Sequence, residues 1–143
     1  MHRLTLEASQ LCVLRAAQAL LALDRADADH AWGLDVLSRH IGDCVTTEAV
    51  ITEATHLVGR GGGHPCVPLE ALVTAGVPIL GLDTAQHRAA ARLMRQYADT
   101  RMDYADATLL VLAESLDIRR ILTTDRRGFS VFQVRGAPLE MVG

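Results

Sequence analysis

Two periods of hydrophobicity alternate along the chain from residue 44 onward. Short apolar runs that suit buried strands are followed by segments with apolar residues three and four apart, the repeat of a helix face. Residues 44–46 make a short strand at most, and 47–58 a helix ended by Gly59. A flexible glycine-rich loop over 59–64 leads to a short helix over 68–75, stopped by Gly76. Residues 77–82 read as a buried strand and 84–98 as an amphipathic helix carrying Arg88, Arg92 and Arg95. An apolar helix over 103–116 precedes a strand over 120–124, and residues 131–142 add weak terminal strand character. Upstream, 28–41 reads as a helix, with Asp27 or Asp29 as N-cap and Gly42 just past its end. The first strand stays open between 4–7 and 11–14, and 7–23 could equally be one long helix.

Strands that alternate with helices imply an α/β fold: a three-layer α/β/α sandwich around a central parallel sheet. No internal repeat, linker or low-complexity tract divides the chain, so residues 1–143 are expected to form one domain. In open parallel sheets, sites gather at the carboxyl ends of the strands. Asp125 falls at such an end.

Half of the residues are hydrophobic but only 3% are aromatic, so the core is aliphatic and rich in alanine. Aromatic stacking of bases is therefore not expected as a major binding mode. The formal net charge of −3 argues against a generally basic nucleic-acid binder. All 14 basic side chains other than histidine are arginine, which leaves guanidinium groups for bidentate phosphate contacts. Three widely spaced cysteines, Cys12, Cys44 and Cys66, read as reduced thiols of a cytoplasmic protein. The apolar run over 11–23 is interrupted by Arg15 and Gln18 and is too short to span a bilayer, so no membrane partner is expected.

Carboxylates on apolar helix faces change the picture. Asp106 shares a face with Leu109, Leu110 and Ala113 at spacings of three, four and seven. Asp103 lies one turn earlier, where it could simply cap the helix. Glu53 falls between Val50 and Leu57 on the apolar stripe of its own helix, where a buried arginine could be its partner. Asp125 follows Ile121, Leu122, Thr123 and Thr124, where it could be a turn aspartate. Desolvating an unpaired carboxylate is costly, and a hard divalent cation with oxygen ligands offsets that cost.

The segments 102–107 (Met-Asp-Tyr-Ala-Asp-Ala) and 122–129 (Leu-Thr-Thr-Asp-Arg-Arg-Gly-Phe) resemble the third and fourth acidic motifs of the PIN-domain nucleases. The resemblance is closest to the small bacterial toxins of toxin–antitoxin pairs. Residues 46–53 resemble the strand-to-helix passage carrying that family's glutamate, and 24–32 the segment before its second helix. The resemblance implies that Glu53, Asp106 and Asp125 bind Mg2+ or Mn2+, with Asp103 as an accessory acid. It implies metal-assisted hydrolysis of RNA phosphodiesters, an antitoxin protein as partner and a homodimer. Thr124 could orient a ligand or water, and Arg126 could contact substrate.

The family's first motif is a strand ending in aspartate, and no aspartate precedes Asp24 here. With 4–7 as the first strand, Glu7 replaces that acid and would be a displaced metal ligand. With 11–14 as the strand, Arg15 takes the place and opposes metal binding. The second register would give a degenerate module that binds RNA or a protein. Hydrolysis of small phosphate esters by the same acids is a further alternative. His56, His64 and Cys66 lack a zinc-ligand spacing, and Gly61–Gly63 lacks the lysine of a phosphate-binding loop. His30 reads as a packing or capping residue.

Overall fold

In a computed structural model, residues 12–14, 38–100, 102–123 and 126–142 are described. Five strands form one parallel sheet: β1 (Cys12–Leu14), β2 (Cys44–Thr47), β3 (Ile79–Leu80), β4 (Arg120–Leu122) and β7 (Glu140–Val142), in the order β3-β2-β1-β4-β7. Two-residue strands β5 (Gln133–Val134) and β6 (Ala137–Pro138) make an antiparallel hairpin. The helices are α1 (Glu48–Arg60), α2 (Cys66–Ala75), α3 (Thr84–Gln96), α4 (Tyr104–Leu116) and the single turn α5 (Arg126–Phe129). This is a central parallel sheet flanked by helices, the α/β/α architecture that the alternating periods imply.

The order of the sheet settles the first strand. β1 pairs with β2 through Cys12↔Cys44 and with β4 through Leu14↔Leu122, so it is the middle strand. Of the two registers, the one over 11–14 is adopted. Glu7 precedes β1 in sequence and Arg15 follows it, and both lie outside the described residues. The pairing also brings the buried thiols of Cys12 and Cys44 to 3.2 Å. The hydrogen bond to Cys12, with burial, pushes the Cys44 thiol well up, while the same bond lowers that of Cys12.

Helix boundaries follow local chemistry. Asp83 and Gln86 form a reciprocal capping box at the start of α3, and Gly76 ends α2 in the left-handed region at φ 75°. α4 is buried along nearly its whole length and packs on β1, β2, α1 and α3. The 77–82 strand shrinks to two half-buried residues because β3 is the sheet edge. Terminal strand character resolves into the hairpin and β7, which pairs parallel to β4. Three of the chain's five aromatic residues, Tyr97, Phe129 and Phe132, pack edge to face with ring centroids 5.1 Å apart.

Candidate active site

β1 lies between strands that leave it in opposite directions: the chain goes to β2 and β3 on one side and to β4 and β7 on the other. The gap between the carboxyl ends of β1 and β4 is the topological switch point where such sheets place ligands. Asp125 follows β4 in sequence and Arg15 follows β1. Both lie outside the described residues, as do Thr124 and Glu7. Arg126 opens α5.

Two of the expected acids meet at the start of α4. Asp103 is the N-cap, and its Oδ1 accepts the backbone N–H of Asp106 at 2.8 Å. Asp106 Oδ2 accepts the N–H of Asp103 at 3.2 Å, completing a capping box. The capping role open to Asp103 is thus real, and Asp106 shares it. Capping alone does not explain the burial of Asp106. Asp103 is exposed, whereas Asp106 is only 7% exposed, beside Ala107 and Leu109, which are fully buried. A carboxylate held there is desolvated, and the positive end of the helix dipole offsets part of the cost. Glu53 is half-buried on α1, on the flank of a core face made by Val50, Ala54 and Val58.

A buried chain of hydrogen bonds sets α1 and α4 against each other. β2 runs into α1 without a loop, and Thr47 is both the last strand residue and the N-cap. Its Oγ1 accepts the N–H of Val50 and lies 2.8 Å from Thr108 Oγ1. Thr108 donates to the carbonyl of Ala105 at 2.7 Å. Its proton is therefore committed, and the hydroxyl of Thr47 must donate to Thr108. Both threonines are 1% exposed. Thr108→Val keeps the shape but strands the Thr47 hydroxyl, so urea unfolding should show a loss of about 1–3 kcal/mol. An unchanged midpoint would contradict this pairing.

A cleft of about 300 Å3 opens beside this chain, lined by Thr47, Glu48, Thr52, Gly81, His87 and Tyr104 among others. It lies at the carboxyl ends of β2 and β3. Sequence reasoning missed Glu48, His87 and Tyr104. The cue for Tyr104 was its place between Asp103 and Asp106; nothing local marks His87. Elsewhere, His64 Nδ1 accepts the N–H of Cys66 at the start of α2, which gives that histidine a turn role.

Carboxylate oxygens are the hard donors that magnesium and manganese prefer. Among the described residues, no group of three or more His, Cys, Asp or Glu could hold a metal ion. A complete ligand set would therefore include residues outside those described.

A buried acid at the carboxyl edge of a parallel sheet, with a further acid following β4 in sequence, fits a hydrolase of the nuclease class. The chain belongs to the PIN-domain family, whose model matches residues 17–134. It is 33% identical over 121 residues to ribonuclease VapC26 of Mycobacterium tuberculosis, a match spanning 82% of this chain and 90% of that protein. The fold is shared with the crystal structure of Mycobacterium tuberculosis VapC20, a toxin described as cleaving the sarcin–ricin loop. That match has a TM-score of 0.67 at 18% identity and covers 90% of this chain and 99% of the other.

Proposed function

We propose that this protein is a metal-dependent endoribonuclease that hydrolyses RNA phosphodiesters and serves as the toxin of a toxin–antitoxin pair. The observation that carries the reading is Asp106, a carboxylate buried in an apolar helix at the edge where the family places its chemistry. Asp106, Glu53 and Asp125 would hold Mg2+ or Mn2+, with Asp103 fixing the rotamer of Asp106 through the capping box. When bound, such an ion lowers the pKa of a coordinated water and stabilises charge on the phosphate. Thr124 and Arg126 are the proposed substrate contacts. The relatives named ribonuclease and toxin support RNA as substrate and an antitoxin protein as partner. Val67, Leu69 and Val73 expose apolar surface on α2 that would suit a homodimer. Cytoplasmic action follows from that substrate, and no described helix is long and apolar enough to cross a membrane.

One observation favours a second reading. β1 is described over Cys12–Leu14, and on that register Arg15, next in sequence, would take the position where the family carries its first acid. A cation there favours a degenerate module that holds RNA by charge without cutting it.

Melting in the presence of metal separates the two readings without any substrate. Carboxylates that converge repel one another until a cation binds, and a ligand of the folded state stabilises it by mass action. Manganese at a hundredfold excess over its Kd should raise Tm by roughly 5–8 °C. Asp106→Asn should abolish most of that rise. A wild-type Tm unmoved by millimolar manganese would favour the degenerate module.

A further inference from the structure

The cleft at the ends of β2 and β3 contains groups that metal-assisted hydrolysis does not use. Tyr104 is 46% exposed, the most exposed aromatic ring among the described residues. Its hydroxyl is 2.8 Å from His87 Nε2, and the two rings are nearly parallel, 15° apart. Tethering by that hydrogen bond fixes the ring before anything binds. Glu48, exposed in the first turn of α1, lines the same cleft. Its place depends on Gly81: a Cβ added there would lie 2.6 Å from Glu48 Oε1. A glycine is thus what lets the carboxylate lie against the strand end. Thr47 and Thr52 complete the polar floor.

We propose that this cleft is a base subsite that takes one unpaired guanine of the RNA. The inference rests on the ribonuclease reading and names a specificity element of that site. An ionised carboxylate only accepts hydrogen bonds. The Watson–Crick edge of guanine offers two adjacent donors, N1–H and the N2 amino group, which match its two oxygens. Adenine and cytosine offer one amino group on that edge, and uracil a single imino N–H. Tyr104 supplies a stacking face, a contact that any base accepts. Stacking therefore gives affinity and Glu48 gives the choice. The 3% aromatic content excludes a stacking platform for many bases, but one base needs one ring. In the order β3-β2-β1-β4 the cleft, at the ends of β3 and β2, stands two strand spacings, roughly 10 Å, from the switch point between β1 and β4. A base held here would orient a neighbouring phosphate toward Asp106.

Binding in chelator tests this apart from cleavage. The probes are fluorescent uridine heptamers, one with a single central guanine and one with adenine there, read by anisotropy. The guanine probe should bind about tenfold tighter, the discrimination that one bidentate edge contact supplies. Glu48→Gln should erase the difference between probes. Gly81→Ala should reduce it by shifting the tip of the carboxylate, a second perturbation that leaves Glu48 itself in place. Tyr104→Ala should weaken both probes roughly tenfold or more. Equal affinities in the wild type, or a guanine preference that survives Glu48→Gln and Gly81→Ala, would overturn the subsite even if RNA is cleaved. Failure of cleavage with the guanine preference intact would instead count against the ribonuclease reading.

Discussion

Replacing Asp106 by asparagine is expected to lower RNA cleavage at least about a hundredfold while leaving the fold intact. The two consequences separate because the side chain has two jobs. As the third residue of a capping box, it accepts the N–H of Asp103, and an asparagine oxygen does that equally well. As an ionised ligand it contributes a charge that asparagine lacks. At 7% exposure the carboxylate is desolvated, and its capping hydrogen bond and the positive end of the helix dipole offset that cost. In chelator, Asp106→Asn should therefore melt close to wild type. A lower Tm together with lost activity would mean that Asp106 is a structural residue whose loss damages the fold. Function held against stability is the signature expected of a site residue.

Arg15→Asp is the second large effect, and its expected direction is a gain. β1, described over Cys12–Leu14, is the central strand, and on the 11–14 register Arg15, next in sequence, would stand where the family carries an acid. Exchanging a cation for an anion there reverses the sign of its interaction with a bound divalent ion. Two unit charges about 5 Å apart interact by roughly 3 kcal/mol at the effective dielectric of a protein surface. Manganese affinity, read by calorimetry, should rise at least about tenfold, and cleavage should rise with it. No change in either would show that residue 15 does not face the ion. Cleavage that appears only in Arg15→Asp would establish the wild type as a degenerate member of the family.

Much of the architecture was legible because it is written in local periodicity. The strand-to-helix passage at 44–60, the arginine-bearing helix after Asp83 and the apolar helix after Asp103 all emerge within a residue or two of their expected bounds. The first strand was not legible, because 4–7 alternates apolar and polar residues and 11–14 is a short apolar run, both patterns that suit a strand, and it is pairing with β2 and β4 that places a strand at 12–14. Edge position, likewise a matter of partners, shortened the strand around Ile79. At the site, Asp103 and Asp106 were visible as acids on an apolar stripe, but their reciprocal capping needed the backbone. His87 and Tyr104 lie 17 residues apart on different helices, and Glu48 meets Gly81 across two strands. Contacts of that kind leave no periodic trace in a sequence. Asp125 and Glu7 belong to segments outside the described residues, so their part in the site rests on sequence.

The most direct test of the central claim is cleavage of a labelled single-stranded RNA by the wild-type protein in manganese, with a parallel reaction in excess chelator. Discrete products that form with manganese and vanish with chelator are the predicted result. Intact RNA in both reactions, across several sequences and with the protein shown to be folded, would contradict it.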